Sequence, residues 1–318
     1  LTANDLRDLG ESALCRAHEK VKAMSRQLVG APNRDEALQK IQKKAPKSFK
    51  QALDAYRDSS ARCRAFVEIS GFSSLPGDES LEIMETPGYM AHLIPFAAYF
   101  PSERSARPQK GIYVVTRGKS GDLGRYNYPD IANTTVHEGY PGHHLQLTGQ
   151  NLHPSFLRTL VNATEMCEGW AHYCEEEVKR LGFENSTENL LVQGVDEAWR
   201  AARVLIDVNL HNKTWSFERA LQCLVENTTM DRESALSELR WYVQSPGCPL
   251  SYLTGKHLLF QLKDSLKGKF GNDFQDRIFH DLVIFEGAIP ISLAREFYPL
   301  MLKEEIRRQP HQVLNLGN

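Results

Sequence analysis

The 318-residue chain carries 38 Lys and Arg against 40 Asp and Glu, a formal net charge of -2, with 41% hydrophobic and 25% charged residues. This is the composition of an ordinary folded globular protein. It speaks against a nucleic-acid partner, because the charged clusters KKAPKSFK and EEIRR are short enough to be solvated helix faces. The longest uncharged run, PGYMAHLIPFAAYFPS, is too short to span a bilayer and holds three prolines, so it predicts a loop or packed segment and no membrane partner.

In chain order, Leu6, Leu9, Ala13, Ala17, Val21, Met24 and Leu28 recur at helical spacing, and Thr2 with Asp5 forms a capping box, so residues 3 to 29 predict an amphipathic helix. RDEALQKIQKK and SFKQALDAYRDSSARCRAFVEI continue in the same style. Extended structure is expected at LEIMET and GIYVVTRG, where β-branched and aromatic residues sit between Gly and Pro punctuation. From Pro129 onward the spacing predicts helices over 130–150, 155–181, 187–211, 215–227, 231–244, 249–267, 273–285 and 291–307. The fold class that follows is mainly α, with one small β-sheet before the His137-Glu138 helix. No linker divides it, so residues 1–318 are expected to form one unit.

The six cysteines show no C-x-x-C pair, which favours reduced thiols and a cytoplasmic setting. The sequons at Asn133 and Asn162 fall in segments that read as buried helix, against glycosylation. The opening LTANDLRDLG has neither an initiator Met nor a signal peptide's apolar core, and reads as the start of a trimmed or processed fragment.

The chemistry concentrates in TTVHEGYPGHHLQL. A zinc hydrolase needs three protein ligands, an open position and a carboxylate near the water. Two histidines at i and i+4 of a helix share a face, and the Glu after the first reaches the same water. His137 and Glu138 fit that start, but Pro141 stands where the second histidine belongs. In a regular helix His143 points to the wrong face, and His144 lies about 10.5 Å along the axis. Proline lacks the N–H of a helical bond and its ring pushes on the preceding turn, so GYPG should bulge. Two looped-out residues bring His143 to the i+4 position, and three bring His144; geometry leaves both open.

The third ligand is sought in TEMCEGWAHYCEEEV, where Glu165, Glu168, His172 and Glu175 form one polar stripe. Ionisable groups on a buried face need partners or a metal, and carboxylates that orient ligand histidines are expected among them.

HEGYPGHHLQ followed by EGWAHYCEE resembles the family known as domain of unknown function 885, grouped with the gluzincin metallopeptidases. RAARVLIDVNLHNKTWSFERAL, SPGCPLSYLTGK and FHDLVIFEGAIPISL extend the resemblance over most of residues 1 to 300. Family members are commonly nearly twice as long, and this chain resembles their C-terminal half. They usually read P-G-Q-A where this chain has Pro246, Gly247, Cys248 and Pro249, while Ser251, Tyr252 and Gly255 remain.

The resemblance implies a helical gluzincin-like metallopeptidase body that binds zinc. It aligns Gly142-His143 with the Gly-His of H-E-x-G-H, making His137 and His143 ligands with His144 in reserve. It points to Glu168 as third ligand, with Glu165 the alternative. Glu138 would be the general base and Tyr252 the oxyanion donor. Tyr113 and Val114 would offer a sheet edge to a short or unfolded peptide substrate, with His211 and Arg240 lining the cleft. The competing expectations are a zinc hydrolase of non-peptide amides and a non-catalytic helical binding module.

Overall fold

The computed structural model describes residues 1–94, 96–118 and 123–308. Three helices open the chain: α1 (Ala3–Val29), α2 (Arg34–Gln42) and α3 (Phe49–Ser70). The α1 start is the predicted capping box, in which the Thr2 side chain accepts from the Asp5 N–H and Asp5 accepts from Thr2. The buried stripe of Ala13, Ala17 and Val21 lays α1 along α8 (Thr187–His211).

The sheet comprises β1 (Glu79–Glu85), β2 (Ala97–Phe100) and β3 (Gln109–Val115), in the order β1-β3-β2. β3 runs parallel to β1, with Ile83 beside Tyr113, and antiparallel to β2, with Tyr99 beside Tyr113. Two expectations change here. The uncharged run, expected to be a loop or packed segment, supplies the strand β2. The strand carrying Tyr113 and Val114 is central: both its edges are hydrogen-bonded and both side chains are buried, so it offers no edge to a peptide. Ile83, Tyr113 and Val115 of the sheet pack with Phe49, Ala52 and Tyr56 of α3 in one buried cluster.

The helices that follow are α4 (Tyr128–Glu138), α5 (His143–Gln150), α6 (Phe156–Leu160), α7 (Thr164–Arg180), α8, α9 (Phe217–Asn227), α10 (Arg232–Gln244), α11 (Cys248–Phe270), α12 (Asp276–Phe285) and α13 (Ile291–Arg308). The helix predicted over 155–181 is two, because Asn162 leaves the helical path to bridge Ala288. Asn162 is therefore exposed and non-helical, whereas Asn133 is buried in α4 as expected. The largest core surrounds α7, where Met166, Trp170, Tyr173, Cys174 and Val178 pack on Val136, Leu145, Phe279 and Tyr298. Among the described residues no helix is long and apolar enough to cross a membrane.

Candidate metal centre

The segment between α4 and α5 is the predicted bulge. The Gly142 N–H donates to the Val136 carbonyl at 3.0 Å and the Leu145 N–H to the Gly139 carbonyl at 3.4 Å. Each bond reaches six residues back, where a helix reaches four, so two residues are inserted. The Tyr140-Pro141 peptide is cis. Trp170 holds the bulge by donating its indole N–H to the Pro141 carbonyl at 2.8 Å. The backbone doubles back so closely at residue 142 that a Cβ there would lie 1.9 Å from the His137 carbonyl oxygen, which is why Gly stands at this position.

The insertion turns consecutive histidines in opposite directions. His143 faces α7, its Nε2 lying 3.3 Å from Glu168 Oε2, and His137 Nε2 lies 3.6 Å from the same oxygen. His144 faces the sheet, with Nε2 2.8 Å from Glu79 Oε2 and Nδ1 3.1 Å from the Tyr99 hydroxyl. Tyr140 also donates to Glu79, and Arg64 pairs with it at 3.1 Å. The reserve ligand is thus fully engaged in anchoring the bulge to β1.

His137, His143 and Glu168 place one ligand atom each within 4.8 Å of one another, a grouping that could hold a metal ion; Glu165 is not in it. The donor set, two imidazoles and a carboxylate, is that of open zinc sites. Glu168 Oε2 and His143 Nδ1 are buried without a hydrogen-bond partner, so the carboxylate oxygen nearest both rings is unsatisfied as it stands. Burial opposes charge on His137, but Glu168 and Glu175 outweigh it and lift the ring to about 10. The Glu168 carboxyl, despite burial, is held far below its usual range by His143 and His137. The cluster therefore attracts a positive charge, which a cation can supply in place of the proton.

Behind the first ligand, His137 Nδ1 lies 2.7 Å from Glu175 Oε1. Glu175 stands seven residues after Glu168, on the same face of α7. Asn133 bonds its other oxygen at 3.1 Å, and Arg200 lies 3.9 Å away. When a cation replaces the proton on Nε2, this partner keeps the remaining proton on Nδ1 and leaves the Nε2 lone pair to the ion.

Glu138, next to His137, is half-buried and makes no hydrogen bond or ion pair among the described residues. It lines a cleft of about 1030 Å³ with His137, Asn133, Asp196, Arg203 and Tyr252. The Tyr252 ring lies nearly parallel to that of His137, 12° apart at 6.2 Å between centroids. Burial, then Glu168, pushes its phenol well above the ordinary range, so it keeps its proton and remains a donor.

Tyr252 reaches this place because α11 crosses α7 glycine against glycine. A Cβ on residue 255 would lie 1.9 Å from the Glu165 carbonyl oxygen and 2.7 Å from Gly169 Cα. Gly255→Ala is accordingly expected to force the helices apart, costing about 2–3 kcal/mol, read by denaturant titration. Unchanged stability would mean that the helices cross with more room than this. Cys248 and Pro249, the departure from the usual family pattern, occupy the first turn of α11, where proline's missing N–H is not needed.

The remaining residues singled out in the sequence lie elsewhere. His211 is not among the cleft residues: its Nδ1 lies 2.8 Å from Asp207 Oδ1, while Asp207 Oδ2 accepts the Gly247 and Leu250 N–H groups at the start of α11. His211 thus pairs with the carboxylate that caps the start of α11. Arg240 is exposed and outside the cleft, because its position on α10 points away from α8 while Ser237, Glu238 and Trp241 face inward. Sequence reasoning missed Asp196, Arg200 and Arg203, which line the cleft from α8. Their i, i+4, i+7 spacing on a largely apolar helix was the available signal.

A second acidic grouping, Glu177, Asp276 and His280, already encloses a cation: Lys263 Nζ lies 2.5 Å from Glu177 and 2.6 Å from Asp276. Lys263→Met should remove the buried cation between Glu177 and Asp276, leaving Glu177 only the more exposed Arg180 at 3.3 Å, and cost about 1–3 kcal/mol, discounted for the exposure of Asp276. A denaturation midpoint equal to that of wild type would assign the pair no net role.

The architecture and this cluster define a mainly helical protein with a candidate His/His/Glu metal centre. The chain belongs to the family described as "Bacterial protein of unknown function (DUF885)", which matches residues 1–297. Among solved structures it is similar to a protein from Colwellia psychrerythraea proposed to be a lipoprotein, with 22% identity, a TM-score of 0.85 and coverage of 96% of this chain and 53% of that one. A protein of unknown function from Shewanella oneidensis, also proposed to be a lipoprotein, gives 21%, 0.82, and 94% and 56%. The chain thus spans about half the length of these proteins, and the likeness shows a shared fold. A comparison with curated proteins finds no match.

Proposed function

We propose that this chain carries the catalytic centre of a zinc-dependent hydrolase that cleaves short or unfolded peptides, a gluzincin-like metallopeptidase. The observation that supports this most is the convergence of His137, His143 and Glu168 beside a carboxylate, Glu138, that has no hydrogen-bond or ion-pair partner among the described residues. A purely structural metal site has no use for such a group on the wall of a cleft.

His137, His143 and Glu168 would hold the metal. Zinc there would supply a more acidic water and polarise a carbonyl oxygen. Glu138 takes the proton from the attacking water and hands it to the leaving amine. Tyr252 donates its hydroxyl hydrogen to the oxygen on which negative charge develops. Glu175 holds His137 in the tautomer that keeps Nε2 free. The peptide main chain lies along the outer edge of β2, since Ala97 and the adjacent Phe96 line the cleft and no other strand pairs with that edge among the described residues.

The test is digestion of a mixed peptide library by zinc-loaded protein, followed by mass spectrometry, with and without a chelator. Chelator-sensitive cleavage at a consistent register is expected. Intact peptides in the presence of bound zinc, both with this chain and with the longer form of the protein where one exists, would overturn the reading.

A further inference from the structure

Arg203 of α8 is nearly buried, and aromatic rings surround its guanidinium. Its Cζ lies 4.3 Å from the Trp199 ring centroid, 5.4 Å from Trp241, 5.6 Å from Tyr242 and 4.7 Å from Tyr252. Its Nε donates to the Tyr242 hydroxyl at 2.9 Å and its Nη2 to Glu238 at 2.5 Å. Two of these anchors, Glu238 and Tyr242, come from α10, and the ring it contacts near the metal centre comes from α11. A planar fork held at two of its nitrogens has little freedom left. The Tyr252 ring packed on it inherits that rigidity, while Tyr252 itself has no hydrogen bond among the described residues to fix its angle.

We infer that Arg203 is a positioning residue: it fixes the Tyr252 phenol against the metal centre and places a constant positive charge beside it, so that Arg203 acts on hydrolysis through Tyr252. This rests on the hydrolase reading for its kinetic consequence, but the placement of the ring can be measured without turnover. A cation over an aromatic face attracts it. A preorganised donor contributes only when it does not have to be ordered during the reaction.

The experiment is a double-mutant cycle on the zinc-loaded protein with Arg203→Met, Tyr252→Phe and the double variant, together with fluorine NMR of 3-fluorotyrosine-labelled protein, in which Tyr252→Phe identifies the Tyr252 resonance. Tyr252→Phe should lower kcat by about 10²–10³, and Arg203→Met by about 10–10², with KM changing little. The double variant should be no slower than Tyr252→Phe alone, because an action exerted through Tyr252 is lost with it. The Tyr252 fluorine signal should shift and broaden in Arg203→Met. Arg203→Lys, which keeps the charge but not the fork, should lie between the two and carries the cycle if the Met variant does not fold. Additive losses, or a fluorine signal unmoved by either Arg203 variant, would overturn the inference. If neither this chain nor a longer form, where one exists, cleaves peptide, the hydrolase reading fails, and the fluorine signal alone decides whether Arg203 places Tyr252.

Discussion

Glu138→Gln is expected to cut kcat by about 10²–10⁴ while zinc content and melting temperature stay at their wild-type values. Gln keeps the size and the hydrogen-bonding edge but cannot accept the proton. Glu138 lies outside the His137, His143 and Glu168 grouping and makes no ion pair among the described residues, so neither the metal nor the fold should depend on its charge. It sits at the last residue of α4, immediately before the bulge, where it can face the cleft while His137 faces α7. Peptidase assays on matched, zinc-quantified samples make the comparison. Release of zinc by this substitution would make Glu138 a ligand and leave the site without its base.

His143→Ala should strip the metal and abolish turnover, whereas His144→Ala should keep most of the zinc. The two side chains are adjacent in sequence, yet one lies 3.3 Å from Glu168 and the other 2.8 Å from Glu79. Losing one of three ligands leaves two, too few for a stable site in competition with water. Losing His144 instead leaves Glu79, Tyr140 and Arg64 to hold the bulge, at a stability cost of about 1–3 kcal/mol for a buried group left short of a partner. Zinc analysis after dialysis, paired with thermal denaturation, separates the two effects. Equal zinc content in both variants would contradict the opposed orientation of these rings.

Much of this site was legible in the sequence. Pro141 at the i+4 position demanded a bulge, and counting inserted residues reduced the second ligand to two neighbours. The geometry of a helix could not choose between them, because the choice is made by Glu79, a residue of β1 far away in the chain. The α1 stripe and its Thr2 cap were readable because both signals are local. β2 was not: its side chains are all half-buried, without the alternation that marks a strand, and its run is short and flanked by proline. The central position of β3 depends on pairing with that unseen strand, so the edge role given to Tyr113 and Val114 went with it. Arg203 escaped notice for a related reason. Its partners Tyr242, Glu238 and Tyr252 lie on two later helices, and only the crossing at Gly255 brings the last of them near.

Every catalytic step above presupposes one zinc ion among His137, His143 and Glu168. An anomalous difference map collected at the zinc edge from crystals of zinc-loaded protein tests that presupposition most directly. A single strong peak is expected about 2.0–2.2 Å from His137 Nε2, His143 Nε2 and a Glu168 oxygen, with His144 still on Glu79 and Glu138 outside bonding distance. A peak ligated by His144 or by Glu138, or no peak at this cluster, would contradict it.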